Sequence, residues 1–403
     1  MEINNYCSKI YNLCLNFGKT SNLVDTNSLF EKNDLLFLRN TNSENILTEI
    51  IPNYKLADGF QLFFNYLSKL LNLNILYLVN YFFYSIIILT FGSLLYSIHK
   101  SNLNNKLILI TTTTLFYLSN IYLYNYNAEY LIYSISSILP LIFLIQFYYN
   151  KKQINLIYLF SFSFLAIIIF GTMRYYSYLS FLLISLILVL TLKKSFFKKT
   201  FFVISIIILL LLKIFFFHNV EEIRKNNIKL ANPDFNYEKS IPGNSFYATF
   251  YPGLGFLSNN HVQNGFLDSS NYTKSLLPKD YDDKFGKYFI TEDHNQNIKN
   301  EVWNLIFNQP KFILKTIFAK IGILILYFLI ICNFFLINFF LNKKINKIIK
   351  YSLLINMGVF AIFPIVSIPS ILYSSGYIGS CFCIIIISIG NFNFKIKNLK
   401  IEI

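Results

Sequence analysis

Long apolar runs alternate with short polar connections through most of the chain. Six runs fall at about 75–98, 107–124, 130–148, 155–171, 175–192 and 200–217. Three more follow a long polar region, at about 317–341, 351–368 and 371–390. A transmembrane helix needs roughly 17–25 mostly apolar residues. The pattern therefore predicts an all-α polytopic membrane protein with about nine transmembrane helices in one bundle.

The same pattern divides the chain into five parts. They are an N-terminal piece (1–74), a six-helix membrane block (75–217), a polar loop region (218–316), a three-helix membrane block (317–390) and a tail (391–403). In the N-terminal piece, residues 59–73 are amphipathic and are predicted to lie along the membrane interface. In the loop region, EVWNLIFNQP contains the only tryptophan, Trp303, and predicts a second interfacial helix.

Lysines cluster in every second connection between the apolar runs. The clusters hold Lys100, Lys106, Lys151, Lys152, Lys193, Lys194, Lys198, Lys199, Lys343, Lys344, Lys347, Lys350, Lys395, Lys397 and Lys400. The alternate short connections contain essentially only Arg174. Cytoplasmic loops are enriched in Lys and Arg, so the tail is predicted to be cytoplasmic. The N-terminal piece and the loop region are then both predicted to lie on the extracytoplasmic side.

This topology leaves the N-terminal piece without an element that could carry it across the membrane. No apolar run in 1–74 is long enough to span a bilayer. We therefore expect a further transmembrane helix, encoded upstream of Met1.

Composition and charge distribution exclude a soluble domain and a nucleic-acid-binding protein. Hydrophobic residues make up 55% of the chain and charged residues only 14%, whereas soluble domains carry about 25% charged residues. A net charge of +15 is also found in proteins that bind nucleic acids. Here, however, the lysines lie in short clusters between apolar runs, and this distribution indicates membrane topology. No nucleic-acid partner is therefore expected. The five cysteines and four histidines show no metal-ligand spacing. No metal site is therefore predicted.

One stretch of the loop region, 246–272, is rich in glycines, amides and aromatic residues. It reads FYATFYPGLGFLSNNHVQNGFLDSSNY. Glycines allow tight turns or the close approach of a ligand, and amides, a carboxylate and aromatic rings suit a sugar. Its candidate substrate-binding residues are Tyr251, Gly253, Gly255, Asn260, His261 and Asp268. The alternative is an ordinary loop in which Asp268 caps a helix or forms a turn.

Charged residues elsewhere supply candidates for chemistry. Asp25, Asp34 and Asp58 in the N-terminal piece are candidate general bases, with helix caps or solvated surface groups as the alternative. Arg174 can form a two-pronged contact with a lipid phosphate or extend to the headgroups. Lys320 lies within an apolar run, where an amine needs a partner or water. It is a second candidate for the phosphate, with extension to the headgroups again the alternative.

The stretch 246–272 resembles a motif of uncharacterised bacterial membrane proteins related to the GT-C glycosyltransferases. Their Tyr-x-Gly-Leu-Gly core, followed by Asn, Gly and Asp, is similar to Tyr251, Gly253, Leu254, Gly255, Asn260, Gly265 and Asp268. The run EVWNLIFNQPKFILKTIFAK resembles the family's helix, Asn-Pro turn and Lys-containing helix, with Gln309 where Asn is usual. RYYSYLS resembles the family's Gly-x-x-Arg turn. Tyr247 and Ala248 stand where many relatives have Trp-His.

The resemblance implies a membrane glycosyltransferase in a bacterial inner membrane, active on the extracytoplasmic side. Its donor would be a polyprenyl-phosphate sugar and its acceptor a lipid-linked or surface glycan. The first extracytoplasmic piece of such enzymes holds the catalytic carboxylate, which makes Asp25 the first choice, before Asp34 and Asp58. No cofactor is certain, and a divalent cation is left open. The alternatives are a polysaccharide polymerase or ligase, which usually depends on several arginines, and a transporter.

Overall fold

A computed structural model describes residues 71, 75–126, 128–150, 156–171, 177–191, 196–231, 240–241, 246–262, 290–371 and 373–392. Within these residues the chain is almost entirely helical. Four helices are long and apolar enough to cross a membrane: Tyr81–Lys100, Leu131–Tyr149, Pro310–Cys332 and Lys347–Val366. The chain is therefore a helical membrane protein, as predicted. The count of nine spans is not confirmed.

All six apolar runs of the first membrane block coincide with helices. These are α1 (Ile75–Lys100), α2 (Lys106–Tyr126), α3 (Ala128–Tyr149), α4 (Leu156–Phe164, continued by a π-helical turn at Leu165–Phe170), α5 (Leu179–Thr191) and α6 (Phe196–Ala231). Helix α6 continues well past the predicted end at 217. Residues 218–231 are polar, but they include Glu, Arg, Lys and Leu, which favour helix without needing burial.

The described residues of the second half form two short strands and six helices. They are β1 (Ser240–Ile241), α7 (Phe246–Leu254), β2 (Ile290–Thr291), α8 (Glu292–Asn308), α9 (Pro310–Cys332), α10 (Phe335–Leu341), α11 (Lys347–Val366) and α12 (Ser375–Gly390). Strands β1 and β2 pair antiparallel. The run predicted as one segment, 317–341, is divided between α9 and α10. The chain turns at Asn333, whose φ of 34° lies in the left-handed region.

Helices α3 and α12 form the centre of the bundle. Every residue from Leu131 to Ile145 is buried, and nearly all of α12 is buried as well. A helix that is apolar on all sides belongs in a core. Small residues bring these two helices close together, because a β-carbon on Gly379 would lie 2.1 Å from Ser137 Oγ. Close packing through small residues is a common way for helices to associate in membranes.

A network of uncharged polar side chains crosses the middle of this core. The Asn356 amide donates to Ser137 O (2.8 Å) and to Ser380 Oγ (3.0 Å), and its oxygen accepts from Ser180 Oγ. These residues join α3, α5, α11 and α12. Asn356 lies halfway along α11 and is fully buried. Because lipid offers no competing hydrogen bonds, the network fixes how the four helices align.

The C-terminal ends of α1, α3, α10 and α12 lie together at one end of the bundle. We call this the lysine end. Asn102 N–H donates to Tyr149 O (3.0 Å), and Asn104 N–H donates to Gly390 O (2.8 Å). Asn342 Nδ2 donates to Asn391 O (3.0 Å). These contacts confirm the predicted grouping for six lysines in the described connections. They are Lys100, Lys106, Lys343, Lys344, Lys347 and Lys350.

The opposite end, which we call the far end, is where α11 finishes at Val366 and α12 begins at Ser375. A second, smaller core lies there, separate from that of the bundle. Its buried residues are Phe250, Tyr251, Leu254, Val262, Ile298, Val302, Leu305 and Ile313, from α7, the chain after it, α8 and the start of α9. The loop region therefore folds onto the far end of the bundle.

Replacing Asn356 with alanine is expected to destabilise the bundle. Hydrogen bonds between membrane helices contribute about 0.6 kcal/mol each on average and up to about 1.7, and Asn356 makes three. We expect a loss of roughly 2–4 kcal/mol once the cavity is included. Thermal unfolding in detergent measures it. Asn304→Ala, at an exposed amide, is the matched control and should change stability by no more than about 0.5 kcal/mol. Equal effects would mean that the network does not align the helices.

Candidate functional site

The glycine-rich stretch begins as helix α7 rather than as a loop. Residues Phe246–Leu254 are helical. The helix ends in turns in which Gly255 N–H donates to Pro252 O (3.1 Å) and Phe256 N–H donates to Gly253 O (3.3 Å). Tyr251 is fully buried in the second core. Its ring therefore packs against protein, and Phe246, about half exposed, is the open aromatic ring at the start of this helix.

Gly253 brings the backbone of α7 into direct contact with the bundle. A β-carbon built on Gly253 would lie 2.4 Å from Val366 O, 2.5 Å from Ser367 O and 3.0 Å from Lys320 Nζ. Backbone carbonyls cannot move aside as a flexible side chain can. Glycine is therefore required at this position by a contact within the protein, and the close approach predicted for a ligand is occupied by the end of α11.

Lys320 lies at the same junction and is completely buried. Its Nζ donates to Ile365 O (3.0 Å) and to Ser367 O (2.6 Å). The last carbonyls of a helix lack partners within the helix and carry partial negative charge, so a lysine amine stabilises this end of α11. The alternative in which Lys320 extends to the headgroups is wrong, because its amine turns inward.

The position of Lys320 defines how far α9 extends beyond the bundle. Ten residues separate Pro310 from Lys320, which corresponds to about 15 Å of helix. Since Lys320 meets the last turn of α11, the segment 310–319 rises beyond the far end. There Ile313, Phe312 and Ile317 pack into the second core. The part of α9 and α10 from Lys320 to Leu341 then runs alongside the bundle, as α11 does.

The chain after α7 forms a compact turn beside α9. Asn259 Oδ1 accepts from the backbone N–H groups of His261 (2.8 Å) and Val262 (2.6 Å). Asn259 thus shapes the turn. The exposed His261 ring lies 5.0 Å from the Phe312 ring, centroid to centroid. Asn260 is also exposed, so His261 and Asn260 are the two predicted binding residues here that a ligand can reach.

A second buried lysine, Lys213 in α6, was not predicted from the sequence. Its Nζ lies 3.8 Å from the centroid of the Tyr178 ring, within the range of a cation–π interaction. A β-carbon on Gly171 would lie 2.8 Å from the same nitrogen. Lys213 thus touches both described ends of the connection between α4 and α5. The sequence did contain a signal for it, because Lys213 is a single lysine inside the apolar run 200–217. The same kind of signal made Lys320 a candidate site residue.

The α4–α5 connection begins and ends well inside the bundle. Ser180, at the start of α5, bonds to Asn356, which lies ten residues or about 15 Å below the end of α11. Gly171, which follows the π-helical turn of α4, meets Tyr178 and Lys213. π-Helical turns are often found at functional sites. The described ends of α4 and α5 therefore lie inside the bundle, and the Lys213 amine lies beside them.

Five predicted site residues lie outside the described residues. They are Asp25, Asp34, Asp58, Arg174 and Asp268. The structure brings together Tyr251, Gly253, Gly255 and Lys320 at the far end, with Asn260 and His261 beside them. Among the residues that the structure describes, no cluster of three or more His, Cys, Asp or Glu could hold a metal ion.

The chain matches no protein-family model, no curated protein and no solved structure. The resemblance to the GT-C family therefore stays a prediction.

Gly253→Ala is expected to loosen α7 from the bundle. The added methyl group would overlap two carbonyl oxygens, and overpacking of this kind costs roughly 1–3 kcal/mol. Gly358→Ala is the matched control, since Gly358 is in α11 and a β-carbon there meets nothing within 4 Å. That change should be neutral or stabilising by up to about 1 kcal/mol. Thermal unfolding compares the two, and equal stability would show that the contact at Gly253 is not tight.

Lys320→Met should also destabilise the protein, by a different route. Methionine keeps most of the volume but leaves the carbonyls of Ile365 and Ser367 without their donor. Each buried group left unpaired costs about 1–3 kcal/mol, so we expect a loss of roughly 2–4 kcal/mol. Lys315→Met, at an exposed position of α9, is the control and should stay within about 0.5 kcal/mol. Indistinguishable unfolding curves would mean that the amine does not stabilise the helix end.

Proposed function

We propose that the protein is a membrane glycosyltransferase of the GT-C type. It transfers a sugar from a polyprenyl-phosphate donor to a lipid-linked or surface glycan on the extracytoplasmic side of a bacterial inner membrane. One observation carries the proposal. The two segments that resemble the family, 246–262 and 301–320, meet each other at Gly253 and Lys320, 67 residues apart, on the end opposite the lysines.

In this proposal the carboxylates outside the described residues perform the chemistry. Asp25, or failing it Asp34 or Asp58, removes the proton from the acceptor hydroxyl. Asp268 binds the acceptor or a divalent cation. Arg174 holds the donor phosphate and stabilises the charge that develops as the phosphate leaves.

Two buried lysines among the described residues bear on this proposal. Lys320 donates to two carbonyls, which favours a role in holding α9 against the end of α11 over direct contact with phosphate. Lys213 contacts Gly171 and Tyr178, which stand on either side of the predicted phosphate ligand Arg174 in the sequence. A cation held at the connection between α4 and α5 adds positive potential where an anionic donor would need it.

A transporter is the second candidate, and one observation favours it. Lys213 and Lys320 are buried lysines in apolar helices, and ionisable residues inside membranes often mark the path of a substrate or ion. However, both amines lie against fixed groups of the protein, two carbonyls for Lys320 and the Tyr178 ring for Lys213. Such contacts suit a structural cation better than one that exchanges partners during transport.

Purified protein in lipid nanodiscs should transfer label from a polyprenyl-phosphate sugar to a glycan acceptor. A panel of such donors, each carrying a radiolabelled sugar, tests the reaction. Asp25→Asn keeps the size of the side chain but removes the base, so transfer should fall by about 10²–10⁴-fold. The folded state, checked by gel filtration and thermal unfolding, should be unchanged.

The controls are Asp34→Asn and Asp58→Asn, which should retain most of the activity. If one of them abolishes transfer while Asp25→Asn does not, the role of base passes to that residue. If the wild-type protein transfers no sugar from any donor but moves the intact lipid-linked sugar across a vesicle membrane, the transporter replaces the glycosyltransferase.

A further inference from the structure

The connection between α10 and α11 carries a concentrated positive charge. Lys343, Lys344 and Lys347 lie close together in the sequence and are all exposed. We call them the lysine patch. No Asp or Glu occurs between Glu301 and Glu402, so α10, α11 and their connection supply no carboxylate. Among the described residues, the three amines have no hydrogen-bond or ion-pair partner. The helices that carry the lysine patch therefore do not balance its charge.

Two other lysines at this end of the bundle are already engaged. Lys106 Nζ donates to His99 O (2.8 Å), and Lys350 Nζ donates to Phe340 O (2.7 Å). Each amine satisfies a carbonyl in the last turn of the preceding helix, where carbonyls lack partners within the helix. The lysine patch makes no such contact in the part of the chain that the structure describes. Holding helix ends therefore does not account for these three lysines.

Asparagine side chains fix the backbone of the lysine patch. Asn342 Oδ1 accepts from the Lys344 N–H (2.9 Å), and Asn346 Oδ1 accepts from the Ile348 N–H (2.8 Å). Between these two asparagines, the side chain of Ile345 is buried. A ligand that binds here needs to order only the lysine side chains, and this lowers the entropic cost of binding.

Two exposed apolar faces end at the lysine patch. On α10, Ile337 and Leu341 lie one turn apart, and both are more than half exposed. On α11, Tyr351 and Ile355 follow Lys347 at intervals of four residues, and all three are exposed on one face. The three amines therefore stand where exposed apolar surface gives way to polar chain. Lysines in this position meet the headgroups of a membrane.

We propose that the lysine patch binds the headgroup of an anionic phospholipid. The lipid phosphate contacts the amines, and the acyl chains lie along the exposed faces of α10 and α11. Lysines at a membrane surface attract anionic lipids. A soluble acidic partner would account for the lysines but not for the apolar faces that lead to them. The lysine end is also the predicted cytoplasmic end, where the membrane surface is negative. This proposal does not depend on the proposed sugar transfer.

A tryptophan reporter beside the lysine patch tests the proposal. Trp303→Phe removes the only native tryptophan, and Tyr351→Trp places a new one a helical turn from Lys347. The full-length protein is reconstituted in phosphatidylcholine vesicles with a minor fraction of phosphatidylglycerol, and one lipid or the other carries bromine on its acyl chains. We expect brominated phosphatidylglycerol to quench the reporter more than its mole fraction predicts, with a preference of roughly tenfold or more at low salt. The preference should fall as the salt concentration rises.

Removing the charge of the lysine patch should remove the preference. Each single Lys→Gln substitution in the patch should lower it about two- to fivefold, and the triple substitution should abolish it. The matched control replaces Lys299, Lys311 and Lys315 with glutamine. It removes the same charge from α8 and α9 at the far end, so the preference should persist.

A second reporter separates the lysine patch from the charge of the whole protein. Ile362→Trp, again with Trp303→Phe, lies on the exposed side of α11 about 16 Å further along the helix. It should show no preference for phosphatidylglycerol. Three results would overturn the proposal: quenching of the Tyr351→Trp reporter in simple proportion to mole fraction, a preference that survives the triple substitution in the patch, or an equal preference at Ile362→Trp.

Discussion

The burial of the Lys320 amine constrains the far end of the molecule more than any other interaction. An ammonium group enclosed in an apolar helix bundle is very unfavourable unless it is hydrogen-bonded. The carbonyls of Ile365 and Ser367 meet this need, and they are available only because α11 stops there. Because Gly253 lies against the same two segments, the lysine, the helix end and the glycine must be placed together. A shift of α9 by one turn would separate all three.

Lys213 repeats this arrangement in the other half of the molecule. Its amine is also nearly enclosed, and a glycine, Gly171, again lies too close for a side chain. At the end of α11, Lys320 donates to the last carbonyls of the helix, which water cannot satisfy in an apolar environment. Beside α4 and α5, Lys213 lies against the Tyr178 ring, and this cation–π contact also offsets the cost of burying an amine.

Hydrophobic periodicity was sufficient to predict the helices, because each of the nine apolar runs contains at least one helix. It was insufficient to count the spans, because α4, α5 and α12 are apolar but short. An apolar run also does not reveal where a helix breaks, as α9 does at Asn333. The partners of Lys320 could not be predicted either. Ser367 is 47 residues away, and Gly253 is 67 residues away in the other direction. Gly253 was predicted to bind a substrate, and the structure places backbone carbonyls of the end of α11 against it; sequence alone does not say whether a ligand or a backbone approaches a glycine. The same limit applies to Tyr251, whose ring proved to be buried.

The two cores divide the described residues into a bundle whose helices are aligned by hydrogen bonds and a smaller unit that carries exposed aromatic rings. In the bundle, Asn356 uses its amide on three different helices, so the helices cannot slide without breaking hydrogen bonds that lipid will not replace. The second core is built from aliphatic and aromatic side chains of α7, the chain after it, α8 and the start of α9. It joins the bundle where Gly253 and Lys320 meet α11. A small apolar unit fixed at this junction can keep the exposed rings of α8 and the ring of His261 in a constant position relative to the membrane.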